Sequence, residues 1–214
     1  MNKRFLFPLI ISVLFSLLLF SCGKESVSLY YDIDTAPVNL DPQSASDYSS
    51  QLIINSLFEG LLRSGENGEV EPAAAESYTV SSDGLTYRFV LRQDGRWSSG
   101  ESVTAHDFVF AFQRLFDPAT NSKNAGDFFC IKNSEKVYRG ELPSSELGVR
   151  AVSDTELEIV LSEYNSRFLY LLTTSPAMPC NEKFFLDTKG KYGLSGKMIQ
   201  GNGPFYLSSW QENA

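Results

Sequence analysis

EPAAAESYTVSSDGLTYRFVLRQDGRWSSGESVTAHDFVFAFQRL, residues 71–115, is the stretch from which we predict the fold. Tyr78 and Val80 alternate with polar residues up to Asp83-Gly84, and an Asp-Gly pair is a strong signal for a tight hairpin turn. After the turn the period of two continues, because strand side chains point alternately to opposite faces. The pattern therefore predicts a β-hairpin whose apolar face carries Leu85, Tyr87, Phe89 and Leu91.

A helix is predicted shortly after this hairpin. Thr104 and Asp107 have the spacing of an N-cap residue and the third residue of a helix. An acid there complements the helix dipole, although aspartate is short for a full capping box. Asp117-Pro118 ends the pattern, because proline cannot continue a helix. The apolar residues at helical spacing are Phe108, Val109, Phe112, Leu115 and Phe116.

Residues 75–115 resemble the signature segment of the oligopeptide- and dipeptide-binding proteins of ABC importers. Four features occur in the family's order: a segment that ends in AES, an SxDGLTYxFxLR hairpin, a W-x-x-G turn and a T-A-x-D-F helix. Unrelated hairpins and helices would not reproduce all four together. The resemblance implies a mixed α/β fold, namely one lobe of a type II periplasmic-binding-protein fold with the extra subdomain of the larger members.

The region before this segment resembles the same family. Residues 39–42, Asn-Leu-Asp-Pro, resemble the loop after the family's first strand, which we predict at Ser28–Ile33. Apolar residues at helical spacing predict a helix from about Ser49 to Leu62. This predicted helix contains the family's F-E-G-L pattern at residues 58–61.

The region after it also resembles the family. LGVRAVSDTELEIVLSE, residues 147–163, predicts a second hairpin with Glu156 and Glu158 facing outward. Gly-Asn-Gly-Pro at residues 201–204 resembles a turn that enters a further strand in the family, and we expect that strand here.

The resemblance runs from about residue 29 to residue 210. It implies that residues 29–59 and 184–214 belong to the first lobe, and that residues 60–183 form the extra subdomain. Members of the family are much longer than this chain and contain a second lobe. We therefore expect that the second lobe is missing here and that the chain is a fragment or a truncated copy.

Residues 1–21 have the pattern of a lipoprotein signal peptide. Two basic residues precede an apolar run from Phe5 to Phe20, which is short for a membrane-spanning helix. The run ends at Leu-Phe-Ser-Cys, which resembles a lipobox and implies that Cys22 is lipidated. Residues 22–28 would then tether the protein to the membrane. A soluble secreted protein and an uncleaved anchor are the alternatives.

The amino-acid composition limits the classes of function that we expect. The 214 residues carry 18 Lys and Arg against 26 Asp and Glu, a formal net charge of −8. An acidic chain without a basic cluster argues against binding to a phosphate backbone, so nucleic acid is not an expected partner. The 43% hydrophobic content supports a folded core.

Cys130 and Cys180 remain once Cys22 is assigned to lipid. Outside the cytoplasm, a remaining pair of cysteines often forms a disulfide. This bond would close a loop of roughly 50 residues, for which chain entropy suggests about 4 kcal/mol of stabilisation. Two buried free thiols are the alternative, and the sequence leaves both open.

Patterns of catalytic chemistry are largely absent from the sequence. His106 is the single histidine, and its place in the first turn of the predicted helix favours an exposed side chain. The cysteines lack CxxC spacing, and no G-x-S-x-G elbow, phosphate loop or dinucleotide glycine pattern occurs. We therefore expect no enzyme, no cofactor and no metal site.

The resemblance places the ligand-contacting segment of the family on Ser46, Asp47 and Tyr48. The residue types differ from the family's, so only the position transfers. Asp47 could pair with a ligand ammonium group, and Tyr48 could stack on the ligand chain. Alternatively, Ser46 or Asp47 caps the following helix. Asn124 stands where the family has a tyrosine.

The function implied is that of a monomeric, lipid-anchored binding protein outside the cytoplasm, in the periplasm or at the cell surface. It would capture peptides and deliver them to an ABC permease and its ATPase. Nickel, haem or an oligosaccharide are alternative ligands. A surface adhesin or receptor without a transport role, and a lipoprotein hydrolase, are alternatives from other classes.

Overall fold

The computed structural model describes residues 32–211. The predicted signal peptide, the Cys22 lipid site, the tether and residues 28–31 of the predicted first strand lie outside the described residues. From Asp34 onward the described residues form one compact unit. Among their helices, none combines the length and the apolar character that crossing a bilayer requires.

Helices and strands are mixed along the chain, as predicted. The helices are α1 (Tyr48–Leu57), α2 (Ala105–Leu115), α3 (Ser134–Tyr138), α4 (Phe168–Leu171) and α5 (Glu182–Asp187). The strands are β1 (Leu62–Ser64), β2 (Val70–Pro72), β3 (Ala75–Val80), β4 (Thr86–Leu91), β5 (Val149–Ser153) and β6 (Glu156–Val160). Short 3₁₀ helices lie at Ala125–Phe128, Ser144–Glu146 and Ser175–Ala177.

The two predicted hairpins are confirmed, and they join into one antiparallel sheet with the strand order β3-β4-β6-β5. Gly84 has a φ of 71°, a conformation that glycine adopts without steric cost, so it can close the β3–β4 turn. The hairpins meet because β4 pairs with β6, with Tyr87 opposite Ile159 and Phe89 opposite Leu157. Strands β1 and β2 form a separate two-stranded sheet.

Helix α2 contacts strands β5 and β6, and its apolar stripe enters the same buried cluster as the apolar residues of the sheet. This confirms the predicted helix and the predicted inner face of the first hairpin. The buried side chains of this cluster include Tyr87, Phe89, Leu91, Phe108, Phe112, Leu115, Leu157 and Ile159.

The start of α2 corrects one detail of the prediction. Asp107 is long enough for the capping box, because its carboxylate accepts the Thr104 N–H at 2.7 Å. The same carboxylate accepts the Thr104 hydroxyl at 3.1 Å and the Trp97 indole N–H at 3.3 Å. The cap therefore ties the helix to the preceding turn.

The predicted end of α1 was wrong, because the helix ends at Leu57 rather than at Leu62. Its last carbonyl, on Leu57, accepts the Gly203 N–H at 2.9 Å. The Asn202 side chain bonds both the N–H and the carbonyl of Glu59, at 3.0 and 2.9 Å. A distant turn thus occupies the backbone groups that a longer helix would use. The helical spacing of apolar residues in the sequence does not reveal that contact.

The strand predicted at Ser28–Ile33 lies mostly outside the described residues and stays a prediction. The strand predicted after the Gly-Asn-Gly-Pro turn is not formed within residues 205–211, which have no regular structure. A strand requires a partner ladder for its backbone groups. Among residues 32–211, no strand pairs with residues 205–211.

The burial of Glu158 corrects the prediction for the second hairpin. It lies on the sheet face opposite the core, as predicted, but it is buried rather than solvated. Its register neighbours are Arg88 on β4 and Arg150 on β5. Their Nε atoms donate to its two carboxylate oxygens at 2.8 and 2.7 Å, so the guanidinium groups cover the acid.

Cys130 and Cys180 are free, buried thiols in the structure, and the suggested disulfide is not formed. They lie in different apolar clusters: Cys130 is in the main core, whereas Cys180 packs with Tyr192 and Ala111.

Candidate functional site

The segment predicted to contact ligand, Ser46–Tyr48, lies at the N-terminus of α1. Asp47 is the N-cap, and its carboxylate accepts the Ser50 N–H at 2.8 Å. The capping alternative is therefore what the structure shows for Asp47. Ser46 is exposed, and Tyr48 is 80% exposed at the first position of the helix.

The loop that contains Thr35 and Val38 lies beside the first turn of α1. The Val38 N–H donates to Ser50 Oγ at 3.2 Å, and the hydroxyl groups of Thr35 and Ser49 are 3.1 Å apart. The Val38 side chain is 74% exposed. We call the surface formed by Val38, Ser46, Asp47 and Tyr48 the α1 edge. It offers an aromatic ring, an apolar side chain and a hydroxyl group, while Asp47 is engaged in the cap.

Asn124 joins a distant loop to this edge. Its Nδ2 donates to the carbonyl of Ala45 at 2.9 Å, directly before Ser46. The Asn124 N–H donates to Ser122 Oγ at 3.3 Å, and both Ser122 and Ala125 are buried. The loop after α2 therefore lies against the α1 edge.

A buried ion pair anchors the chain just before the edge. Arg114, near the end of α2, donates from Nη1 to Asp41 Oδ1 at 3.0 Å and from Nη2 to Asp41 Oδ2 at 2.6 Å. Arg114 Nη1 also donates to Gln43 Oε1 at 2.7 Å. Gln43 in turn donates from Nε2 to the carbonyls of Pro176 and Met178, at 3.3 and 2.9 Å. The loop at residues 41–43 is thereby fixed to two other parts of the chain.

The surroundings of Arg114 are apolar and aromatic. Its guanidinium carbon lies 3.9 Å from the centre of the Phe185 ring and 5.3 Å from that of Tyr192. Burial alone would lower the pKa of Arg114, but the hydrogen bonds to Asp41 outweigh this effect and raise the pKa above its ordinary value. Burial raises the pKa of Cys180 to about 12, so its thiol is protonated and unreactive at neutral pH.

Glycine at position 193 allows the same loop to pack closely. The Leu40 N–H donates to the Gly193 carbonyl at 2.8 Å. Gly193 has a φ of 74°, and a Cβ added there would lie 2.4 Å from the Asp41 nitrogen. Any larger residue would push the loop away from its anchor.

We did not predict the Arg114 anchor from the sequence, although one signal was available. Arg114 falls on the buried side of α2, between Phe112 and Leu115, where a charged side chain requires a partner. The identity of the partner could not be read, because Asp41 lies 73 residues away in the chain.

Two cavities near the end of α1 do not coincide with the α1 edge. Cavities of about 380 and 440 Å³ adjoin the Gly203-Pro204 turn, and none of Ser46, Asp47 and Tyr48 lines either of them. The exposed α1 edge thus lies outside both of these cavities.

His106 is exposed and lies 3.5 Å from Asp154, which confirms its predicted place at the surface. Within residues 32–211, no group of three or more His, Cys, Asp and Glu side chains is placed to hold a metal ion.

The comparison with protein families agrees with the fold. The model of the bacterial extracellular solute-binding proteins, family 5 Middle, matches residues 69–214. The chain therefore belongs to the bacterial extracellular solute-binding proteins of family 5.

Several relatives are named for the binding or transport of peptides. The chain is similar to the substrate-binding domain of an oligopeptide ABC transporter from Bacillus anthracis str. Ames, with 44% identity and a TM-score of 0.81 over 82% of this chain and 34% of that chain. OppA of Listeria monocytogenes, solved bound to peptide, has 33% identity and a TM-score of 0.80 over 82% of this chain and 35% of that chain. The dipeptide-binding protein DppE of Bacillus subtilis (strain 168) is 33% identical over 86% of this chain and 34% of DppE.

These matches confirm the predicted resemblance and the predicted mixed α/β fold of the type II periplasmic-binding-protein class. The chain spans about a third of the length of the relatives that it matches.

Proposed function

We propose that this chain is part of the substrate-binding component of a peptide ABC importer. It captures peptides outside the cytoplasm and delivers them to the permease, which works with an ATPase. It has no catalytic cycle of its own and acts as a monomer. The similarity to the peptide-bound Listeria protein, over most of this chain, is the observation that carries this proposal.

The proposed ligand surface is the α1 edge. Tyr48 is the strongest candidate for a ligand contact there, because its ring is exposed and lies next to a rigidly capped helix start. Aromatic side chains bury a large area at a small entropic cost. Ser46 contributes a hydroxyl group, and Asp47 contributes mainly by fixing the helix start.

Calorimetric titration of the complete gene product with peptides of two to five residues tests this assignment. Tyr48→Ala should weaken binding by roughly tenfold, which corresponds to about 1.4 kcal/mol. Tyr170→Ala is the control, since Tyr170 is also an exposed tyrosine, at 49%, but lies on α4. Equal affinities in the Tyr48 variant and in the wild type would contradict a ligand contact at this residue. A wild-type protein that binds no peptide would contradict the function itself.

We further propose that the mature protein is anchored by lipid on Cys22. The support is the charge and hydropathy pattern of residues 1–22. Labelled palmitate should be incorporated into the wild type and into Cys130→Ser, but not into Cys22→Ser. Release of the Cys22 variant from the membrane fraction should accompany the loss of label. Label retained by that variant would contradict the anchor.

The proposed organisation assigns residues 29–59 and 184–214 to the first lobe and residues 60–183 to the extra subdomain. In support of joining residues 29–59 and 184–214 in one lobe, both ranges meet at the Arg114 guanidinium, which bonds Asp41 and lies over the rings of Phe185 and Tyr192. An experimental structure of the complete gene product would check this division.

A further inference from the structure

We propose that Asn124 is a positioning residue, which sets the place of the α1 edge without being one of its exposed contacts. The inference rests on the proposed function of the α1 edge as a ligand surface. Its physical basis is the hydrogen bond from Asn124 Nδ2 to the Ala45 carbonyl, at 2.9 Å, across 79 residues of sequence.

Both backbone groups of Ala45 are fixed by hydrogen bonds. Its N–H donates to the Asp41 carbonyl at 2.9 Å, and its carbonyl accepts from Asn124. Ala45 is fully buried, so water does not replace a lost donor without a change in the local packing. Asp41 is itself held by Arg114. The chain therefore reaches the α1 edge from Ala45, whose N–H and carbonyl are both held by hydrogen bonds.

The other end of the short connection is also fixed. Asp47 caps α1 through the Ser50 N–H at 2.8 Å. Only Ser46 lies between Ala45 and this cap, so the position of Tyr48 follows from the position of Ala45 and the direction of the helix. Among the residues that the structure describes, Asn124 supplies the one side-chain hydrogen bond to Ala45 from outside this segment.

Asn124 can fulfil this role because its own loop is anchored. The Asn124 N–H donates to Ser122 Oγ, and Ser122 and Ala125 are buried on either side of it. The loop follows α2, which also carries Arg114, so both supports of the edge originate from the same helix and its end. Loss of the Asn124 bond should loosen residues 44–50 while leaving the Arg114 anchor in place.

The test compares two asparagines with the same chemistry. Asn133 Nδ2 donates to the Glu146 carbonyl at 2.7 Å, so Asn124→Asp and Asn133→Asp each remove one side-chain donor and add one negative charge. Asn124→Ala removes the donor without the charge. Deuterium exchange of residues 44–50, in the complete gene product without ligand, and peptide affinity by calorimetry are the two readouts.

Both Asn124 variants should exchange the amides of residues 44–50 faster and bind peptide roughly fivefold more weakly, the factor of one hydrogen bond worth about 1 kcal/mol. Asn133→Asp should alter neither readout. Unchanged exchange in the Asn124 variants, or an equal change in Asn133→Asp, would overturn the proposal. Because the exchange readout needs no ligand, a wild-type protein that binds no peptide would refute only the proposed function.

Discussion

Replacement of Asp41 by alanine tests the buried ion pair that supports the α1 edge. The change removes the two acceptors that lie 3.0 and 2.6 Å from the Arg114 guanidinium. The Arg114 side chain is only 7% exposed, so water cannot readily replace them. Within the described part of the chain, Gln43 then remains as the one oxygen acceptor of Arg114. Removing one partner of a buried pair costs about 3–5 kcal/mol, because the other charge is left uncompensated.

Urea unfolding, followed by tryptophan fluorescence, to which the buried Trp97 contributes, measures this cost. With an m-value of about 2 kcal/mol/M, a loss of about 3–5 kcal/mol lowers the midpoint by roughly 1.5–2.5 M. The double variant Asp41→Ala with Arg114→Met should be more stable than Asp41→Ala alone, because it no longer buries an unpaired charge.

Asp94→Ala is the matched control, since Asp94 also accepts two hydrogen bonds from one arginine, Arg92, at 3.1 Å each, but at the surface. Exposed pairs of this kind contribute little to stability. If Asp41→Ala lowered the midpoint no more than Asp94→Ala does, the Arg114 pair would not be the anchor that we describe.

Two further predictions concern the sheet and the loop beneath the edge. The hydrogen bond from Arg150 lowers the pKa of Glu158, so its stabilising contribution is present above the ordinary pKa of 4.5 and is lost as the pH falls through the lowered value. Glu158→Gln should therefore flatten the acid side of the stability–pH curve, measured as urea midpoints between about pH 3 and pH 7. Gly193→Ala should lower the melting temperature more than Gly190→Ala. Both positions have positive φ, but only at Gly193 would the added Cβ meet Asp41.

Each of these predictions has a clear opposite outcome. A Glu158→Gln curve parallel to the wild-type curve over the acid range would exclude a role of the carboxylate in acid stability. Equal melting temperatures for the two glycine variants would show that the strained backbone, rather than the close approach of two loops, determines the cost at Gly193.

Local patterns in the sequence predicted the elements that depend on local chemistry. Asp83-Gly84 specified the β3–β4 turn, and the alternation after it specified which face of β4 is buried. The spacing of Thr104 and Asp107 specified the start of α2. These features depend on residues within a few positions of one another, so a single sequence contains the information for them.

The features that sequence reasoning missed depend on distant contacts. Helix α1 ends early because Asn202 and Gly203 occupy the backbone groups that follow it. Glu158 is buried because two arginines from neighbouring strands cover it. The candidate site was only partly predictable for the same reason. Its position came from a family resemblance, and its supports, Arg114 and Asn124, became visible only in three dimensions.

Mass spectrometry of the ligand that copurifies with the complete gene product tests the central claim most directly. The protein is purified from its own cells under native conditions, and the ligand is released by denaturation. Our account predicts a mixture of short peptides. Nickel, haem or an oligosaccharide in place of peptides would contradict it.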